Sequence, residues 1–314
     1  MKKSNEQPLI SICIPAYRWS TISDALNSVV KQFDGNIDSK IEIIVCDDNS
    51  PDWIKRIIQS DFLDKYSNIK YYKHEKNMWL QYNLVDATNY ANWKYLRLLC
   101  DDDCLTSFAL KDSIEIINKT KFDLMVANAH FSPNVEDVVK KWKNSYDEYI
   151  WIEPLINYMY NERNKYQDLV VYFQAYSILI VKSEYWKESL LQYKSDFIYD
   201  NIFPQDIIVY SHLRDKKIVI PHQKFVLWRT MNESYKATNK FVSDFKVELD
   251  IIEEKNQLGQ NKKWKILRRR VLSWWEKTIY LWMVLRFFHI DYKNNKIFKK
   301  LYFFYKKYIQ NQVA

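Results

Sequence analysis

The sequence predicts an α/β fold in which a mostly parallel sheet is flanked by helices. Short apolar runs alternate with helix-like segments through the first part of the chain. These runs lack the apolar–polar alternation of half-exposed strands, which is typical of strands covered on both faces. The chain has 314 residues and is 47% hydrophobic, so it can bury the core that this architecture needs.

The predicted elements alternate in chain order. Strands are expected at 9–15, 41–46, 69–72, 95–99 and 124–127. Helices are expected from Thr21 or Ser23 to Gln32, from Asp52 onward, and at 80–90 and 108–119. Each helix carries the chain back, so that the next strand can lie parallel to the one before it.

Beyond residue 132 the pattern is loose, polar and aromatic. Helices are expected at 150–160, at 184–192 and up to about residue 213, and strands at 176–181, 217–220 and 224–228. The chain contains only two glycines. Tight turns are therefore expected to use Asn and Asp, which tolerate a left-handed backbone best among the other residues.

Polar residues follow three of the predicted strands at the point where each strand ends. These segments are Pro15-Ala16-Tyr17-Arg18, Asp47-Asp48-Asn49-Ser50 and Asp101-Asp102-Asp103. Ligands bind beyond the carboxyl ends of the strands in open α/β sheets, so the three segments should converge on one crevice.

The three adjacent aspartates, Asp101 to Asp103, repel one another and are costly to desolvate, which favours a nearby cation. Carboxylate oxygens suit Mg²⁺ or Mn²⁺, and these ions commonly bridge a protein to phosphates. The alternative is a solvated acidic turn that caps the following helix. This segment alone does not decide between the two readings.

The positive charge of the chain is concentrated at its end. Residues 261–314 carry 14 Lys or Arg against two carboxylates, although the whole chain has a formal charge of only +8. Basic and aromatic residues interleave over 262–307, with Leu267 and Val271 on the apolar side. Helices of this kind lie in anionic membrane surfaces. The alternative is a helical subdomain that packs on the rest of the chain or on a second subunit of a homo-oligomer.

Other features favour a cytoplasmic protein. The four cysteines form no disulfide framework, and the N-terminus has no apolar signal core. No run reaches the roughly 20 apolar residues that span a bilayer. The expected location is the cytoplasm, with peripheral attachment to the inner face of the membrane through the basic region. No nucleic-acid-binding motif is recognised, so nucleic acid is not an expected partner.

Together, these motifs resemble those of the nucleotide-sugar-dependent glycosyltransferases of family 2. The resemblance rests on Ile14 to Tyr17, Val45 to Ser50, Asn77 and Leu99 to Asp103. It covers roughly the first 125 residues well and extends more weakly to about residue 235. It implies the GT-A fold, a Rossmann-like sheet flanked by helices, with the basic aromatic region as a helical extension. The serial aspartates, with Asn83 six residues after Asn77, are similar to a bacterial subgroup that assembles O-antigen or capsule sugars.

The resemblance also implies roles for individual residues. The nucleotide pocket would be lined by Pro15, Ala16, Tyr17 and Asn77, and one carboxylate of Asp47 and Asp48 would bind the base. In the next segment Asp101 or Asp102 would face the ribose. Asp103 would hold Mn²⁺ or Mg²⁺ on the diphosphate, with Asp101 as the second metal candidate. Asp206 falls where the family carries its catalytic carboxylate, and Arg229 matches an arginine near the diphosphate.

The sequence departs from the family pattern at four positions. Asn49 and Trp79 replace glycines that are usual in the family's turns. Cys100 replaces the first carboxylate of the common Asp-x-Asp-Asp form, which leaves open which aspartates bind the metal. Met231 stands where a histidine often follows the late arginine.

The expected reaction is transfer of a sugar, a hexosyl or deoxyhexosyl group, with inversion of its anomeric centre. The donor would be a nucleotide sugar, and the acceptor a growing glycan that is expected to be lipid-linked. A divalent cation would neutralise the leaving diphosphate, and Asp206 would assist deprotonation of the acceptor hydroxyl. Two other functions are weighed. A nucleotidyltransferase usually needs a glycine-rich phosphate loop, which this chain lacks, and a non-catalytic module would bind nucleotide or anionic polymer through the same pocket.

Structural alternatives apply to several of these residues. Asp206 could be an ordinary helix-start aspartate, and Asp47 and Asp48 could form an Asx turn. Arg18 and Arg97 are expected to be solvated or to form structural ion pairs. The predicted division of the chain is a catalytic domain over 1–235 and a helical region over 236–314. The catalytic domain would comprise a nucleotide-binding half, 1–128, and an acceptor-binding half, 129–235.

Overall fold

Two β-sheets, eight α-helices and several shorter helical segments make up the described part of the computed structural model. The structure describes residues 9–17, 19–35, 37–92, 94–132, 139–141, 144–150, 156–157, 160, 176–192, 204–211, 213, 215–229 and 239–273. The strands are β1 Ile10–Ala16, β2 Ile41–Asp47, β3 Ile69–Lys73, β4 Tyr95–Leu98, β5 Cys104–Leu105, β6 Leu124–Val126, β7 Asn128–Ser132, β8 Tyr146–Ile150, β9 Leu179–Lys182, β10 Lys217–Pro221 and β11 Lys224–Arg229.

The helices alternate with the strands in the first half and follow them in the second. They are α1 Trp19–Val30, α2 Asp52–Ile58, α3 Leu80–Asn89, α4 Ala109–Thr120, α5 Ser183–Gln192, α6 Pro204–Tyr210, α7 Asn239–Lys255 and α8 over 262–273. The chain continues from α2 into a short π-helical turn, Gln59–Leu63.

The main sheet has eight strands in the order β3-β2-β1-β4-β9-β6-β10-β8. The four strands from β3 to β4 are parallel, as predicted. Strand β9 runs antiparallel to both of its neighbours, and β8 runs antiparallel to β10 at the edge. A smaller sheet has the order β5-β11-β7. The α/β prediction is confirmed.

Strands β1 and β2 lie at the centre of the core, and all seven residues of each are buried. This burial explains why their sequences are apolar without alternation, since helices cover both faces of a parallel sheet. Their register pairs Ala16 with Asp47, so the carboxyl ends of the two strands are level. The polar segments that follow them therefore emerge side by side.

Several element boundaries differ from the predictions. Helix α1 begins at Trp19, so Thr21 and Ser23 lie inside it and are not its caps. Residues Tyr176–Ile178 form a 3₁₀ turn and only then does β9 begin. The helix expected to reach about residue 213 ends at Tyr210. Of the helix predicted at 150–160, Ile150 is instead the last residue of β8, and residues 156, 157 and 160 are helical. The other residues of that range lie outside the described residues.

Left-handed backbone occurs at Asn49 and Asp215, which are the residue types expected to replace glycine. It also occurs at Trp79, Lys121 and Gln257, which is contrary to that expectation. The resemblance to family 2 places glycines at the positions of Asn49 and Trp79, and positive φ angles of 62° and 72° at these residues agree with that placement.

Arg97 corrects one sequence-based prediction. Its side chain is wholly buried in β4, and no ion pair with a described residue is found. Its Nη1 donates to Ser113 Oγ at 3.2 Å, but Nε and Nη2 have no hydrogen-bond partner within the described ranges. Burial lowers the pKa of Arg97 to about 9. Arg18 lies outside the described residues.

Helices α7 and α8 share the hydrophobic core of the rest of the chain. The core includes Leu249 and Ile252 from α7 together with Trp264, Leu267 and Val271 from α8. Of the two alternatives stated for the basic region, packing on the rest of the chain is the one that Leu267 and Val271 adopt, because protein covers both side chains. Of the basic region 262–307, residues 274–307 lie outside the described ranges. The division at residue 235 stays a prediction.

Among the described residues, no helix combines the length and the low polarity needed to cross a bilayer.

Candidate functional site

The carboxyl ends of β1, β2 and β4 are joined directly by hydrogen bonds. The backbone N–H of Asp48 donates to the carbonyl of Ala16 at 2.8 Å. The backbone N–H of Tyr17 donates to Asp101 Oδ2, also at 2.8 Å. Pro15 and Ala16 are buried at the end of β1, whereas the Tyr17 side chain is 58% exposed. The polar segments after these strands thus form one crevice.

Asp47 has the contacts of a structural residue. Its Oδ1 accepts a hydrogen bond from Ser50 N at 2.8 Å, and its Oδ2 accepts one from the Tyr71 hydroxyl. This Asx turn is the structural alternative stated for Asp47. Burial, followed by the hydrogen bond and charge of Asp47, raises the pKa of Tyr71.

Asp48 connects β2 to the loop before α3. Its Oδ1 accepts from Met78 N at 2.6 Å. Burial raises the pKa of Asp48, and the Met78 N–H and the nearby His74 partly oppose this rise. A carboxylate has about four lone-pair positions, so Asp48 keeps acceptor capacity beyond the bond to Met78.

The predicted contact residue Asn77 lies in the same loop. Its Oδ1 accepts a hydrogen bond from Trp79 N at 2.9 Å and so closes the turn that precedes α3. Asn83, one helical turn further on, is buried and donates from Nδ2 to Ala16 O at 3.4 Å. The pair of asparagines six residues apart therefore ties α3 to the end of β1.

Asp103 is held from two elements that are distant in sequence. Ser177 Oγ donates to its Oδ2 at 2.6 Å, and Arg229 N donates to its Oδ1 at 3.2 Å. Burial, with the like charge of Asp102, raises the pKa of Asp103 well above its usual range. The two donated bonds oppose that rise because they stabilise the charged form.

Arg229 lies beside the acidic segment. Its Nε donates to the carbonyl of Asp102 at 3.0 Å, and its Nη2 pairs with Asp24 Oδ2 of α1 at 2.6 Å. Two bonds in different directions fix the plane of the guanidinium. The predicted role of Arg229 near a diphosphate stays a prediction.

Three side chains of this segment could hold a metal ion. Three potential ligand atoms lie within 4.8 Å of one another, one each from Cys100, Asp102 and Asp103. Carboxylate oxygens suit Mg²⁺ and Mn²⁺, and the sulfur of Cys100 adds a softer donor. The residues therefore fit a divalent cation, which would also relieve the repulsion between Asp102 and Asp103. Asp101, the other metal candidate, is not in this set, and its carboxylate accepts from Tyr17 N instead.

Asp206 lies apart from these contacts, in the first turn of α6. It is 1% exposed, and neither carboxylate oxygen has a hydrogen-bond partner within the described part of the chain. Burial and the charge of Glu248 on α7 raise the pKa of Asp206 well above its usual range. No hydrogen bond or ion pair between described residues joins Asp206 to the segment from Asp101 to Asp103. Its catalytic role stays a prediction.

Sequence reasoning missed Ser177, Tyr176 and Asp24. Ser177 accepts from Cys100 N at 2.8 Å while it donates to Asp103, and the Cys100 thiol donates to Tyr176 Oη at 2.8 Å. A hydroxyl inside an apolar, strand-like run was the available signal for Ser177. Asp24 is an ordinary polar residue of an amphipathic helix, and nothing in the sequence distinguishes it.

The sequence profile described as Glycosyl transferase family 2 matches residues 11–186, which is more than half of the chain. The chain belongs to glycosyl transferase family 2. The matched range contains every strand end that builds the crevice and the anchoring residue Ser177. It does not include Asp206 or Arg229.

A relative of this family 2 protein is the uncharacterized glycosyltransferase MG025 of Mycoplasma genitalium. The two are 32% identical over 109 residues, and the alignment spans 34% of each chain. The match therefore covers about a third of that relative's length.

Crystal structures of S. aureus TarS have a similar fold. TarS 1–349 superposes with a TM-score of 0.56 at 16% identity, over 91% of this chain and 73% of TarS 1–349. TarS 1–349 in complex with UDP-GlcNAc superposes with a TM-score of 0.58 at 18% identity, over 84% of this chain and 71% of that TarS chain. This likeness shows that the fold is GT-A.

Proposed function

We propose that this family 2 member transfers a sugar from a nucleoside-diphosphate donor to a glycan acceptor, with inversion at the anomeric carbon. One observation carries the proposal. The ends of β1, β2 and β4 bring Tyr17, Asp48 and the segment from Asp101 to Asp103 together through direct hydrogen bonds. A nucleoside diphosphate needs such a combination, namely polar and aromatic groups for its base and ribose and a cation site for its phosphates.

Asp103 and Asp102 would hold a divalent cation, Mn²⁺ or Mg²⁺, with Asp101 or Asp102 facing the ribose. When bound, this cation would neutralise the charge that develops on the leaving diphosphate. Arg229 is fixed beside Asp102 and would add positive charge on the same side. Ser177 keeps the Asp103 carboxylate in one orientation, which the cation site requires.

Asp206 would accept the proton of the attacking hydroxyl. A single displacement with inversion needs one base on the side opposite the leaving group. Its raised pKa makes the carboxylate a stronger base once it is ionised. Asp206 is almost fully buried. Its role is therefore tested by measuring sugar transfer by a variant that lacks the carboxylate.

A UDP-sugar is the first donor to test, because the structurally similar TarS forms complexes with UDP and with UDP-GlcNAc. The proposed acceptor is a lipid-linked bacterial glycan of the O-antigen or capsule type. An acceptor of this kind would place the enzyme on the inner face of the membrane, and exposed basic residues of α8 such as Lys262, Lys265 and Arg269 could contact anionic lipid. A homo-oligomer stays a prediction.

The deciding experiment measures nucleotide binding and nucleoside-diphosphate release on the same preparations. Calorimetry with UDP-GlcNAc and other nucleotide sugars, in Mn²⁺ or EDTA, gives affinity and metal dependence. We expect metal-dependent binding and slow UDP release by the wild type. Asp102→Asn should weaken the metal-dependent part, and Asp206→Asn should abolish transfer with affinity nearly unchanged.

Other outcomes separate the alternatives. Substantial transfer by Asp206→Asn would refute its role as the base. Release of pyrophosphate from a nucleoside triphosphate and a sugar phosphate would indicate a nucleotidyltransferase. Nucleotide binding without any turnover, across acceptors and metals, would indicate a binding module. Absence of nucleotide binding would refute the proposal as a whole.

A further inference from the structure

Two exposed aromatic residues each follow a residue whose backbone is hydrogen-bonded to the buried Asp48. Tyr17 is 58% exposed and Trp79 is 70% exposed. Asp48 N bonds to the carbonyl of Ala16, the residue before Tyr17, at 2.8 Å. Asp48 Oδ1 bonds to the N–H of Met78, the residue before Trp79, at 2.6 Å. One carboxylate residue thus fixes the backbone on which both aromatic side chains stand.

The backbone of Trp79 is strained. Its φ of 72° and ψ of 156° fall in a region that essentially only glycine occupies without cost. Asn77 Oδ1 accepts the Trp79 N–H at 2.9 Å and holds this conformation. The indole is mostly exposed, so burial of its surface returns little stability. Strain of this kind clusters at functional sites, where the surrounding structure maintains it.

The arrangement suits a planar ring with an N–H on its edge. Aromatic side chains stack on the faces of nucleobases, and an ionised carboxylate only accepts hydrogen bonds. We propose that Trp79 is the second stacking wall of the base site, opposite Tyr17, and that the donor's nucleobase lies between them with an N–H directed to Asp48. The proposal rests on the proposed function and adds to it a base-recognition residue at a position where the family usually carries glycine.

The test replaces Trp79 by glycine, the residue that adopts this backbone conformation without strain. Calorimetry with UDP, dTDP, GDP and CDP in Mn²⁺ first identifies the nucleotide that the wild type binds best. For that nucleotide we expect Trp79→Gly to weaken affinity by about 10- to 100-fold, the range of one lost base–aromatic stack. Trp79→Phe, which keeps an aromatic face, should stay within about 3-fold of the wild type.

Stability provides an internal check. Trp79→Gly removes the strain, so its melting temperature without ligand should equal or exceed that of the wild type. Weakened binding by a protein of undiminished stability is then not a folding defect. Leu80→Ala is the matched control, since Leu80 is the next residue, is 41% exposed and has no ring. Its nucleotide affinity should match the wild type.

Three results would overturn the stacking role. The first is wild-type nucleotide affinity in Trp79→Gly. The second is unchanged UDP affinity with a selective loss for UDP-GlcNAc, which would make Trp79 a contact for the sugar instead of the base. The third is a wild type that binds none of the four nucleotides, which would also refute the proposed function. In the first two cases the proposed function survives, because the wild type still binds nucleotide.

Discussion

Ser177 Oγ donates a hydrogen bond of 2.6 Å to Asp103 Oδ2 and accepts one of 2.8 Å from Cys100 N. A hydroxyl in the 3₁₀ turn that precedes the antiparallel strand β9 thereby fixes both ends of the turn that contains Asp101 and Asp102. The acidic segment is therefore held in part by an element that follows it by more than 70 residues.

The first prediction concerns this hydroxyl. Ser177→Ala should reduce the free energy of unfolding by about 1–3 kcal/mol, because it leaves a buried carboxylate and a backbone N–H short of one partner. Urea unfolding measures the change. Ser60→Ala, at an exposed position, is the control and should change stability by less than about 0.5 kcal/mol. Equal stability of the two variants would contradict the anchoring role.

The second prediction concerns the pair of Arg229 and Asp24. Asp24 partly neutralises the guanidinium that lies beside the acidic segment. Asp24→Asn removes this negative charge but can keep a hydrogen bond, so nucleoside-diphosphate affinity should be equal or a few-fold higher. Arg229→Gln removes the positive charge and should lower that affinity about 10-fold or more. Calorimetry with UDP and Mn²⁺ measures both. A marked loss of affinity in Asp24→Asn would mean that the pair acts through structure alone.

The third prediction concerns Asp206 and pH. Its folded-state pKa is raised, so the native state holds a proton that the unfolded state releases above about pH 4. The stabilisation from this proton is complete below the unfolded pKa and declines as the pH rises through the folded pKa. The free energy of unfolding of Asp206→Asn should therefore decline less than that of the wild type between acidic and mildly alkaline pH. At the alkaline end it should be higher than the wild-type value.

Urea unfolding at a series of pH values provides the measurement for Asp206. Asp61→Asn, an exposed carboxylate on the turn after α2, is the control and should follow the wild-type curve. A wild type whose stability rises with pH in parallel with Asp206→Asn would show that the carboxyl does not carry an elevated pKa.

The fourth prediction concerns Arg97. Its guanidinium is fully buried, with two nitrogens that lack partners among the described residues, and such groups cost stability. Arg97→Met keeps most of the length and removes the charge, so the free energy of unfolding should rise by about 1–3 kcal/mol. Arg97→Lys keeps a buried charge and should give no gain. A lower free energy of unfolding for Arg97→Met would contradict this prediction, because it would mean that the guanidinium makes a net stabilising interaction.

The sequence alone predicted the α/β class, the strands β1, β2, β3, β4 and β6, and the crevice at their ends. Local signals were sufficient here, because a strand buried on both faces must be continuously apolar. The polar residues that end β1 and β2 meet as a direct consequence of parallel pairing. The motif resemblance to family 2 was likewise confirmed, since its motifs lie in these same strand ends.

Only the tertiary structure decided which of these polar groups are used for structure. Asp47 accepts hydrogen bonds from Ser50 N and the Tyr71 hydroxyl. Asp103 accepts hydrogen bonds from Ser177 Oγ and Arg229 N, and these two residues are distant from it in sequence. For the apolar residues Leu267 and Val271, the sequence left open a membrane surface or packing on the rest of the chain, and in the structure both lie in the core. A hydrophobic face is equally compatible with lipid and with protein, and local sequence does not specify which surface will cover it. The partners of a side chain are fixed by contacts between elements that are far apart in sequence, and that information exists only once the chain has folded.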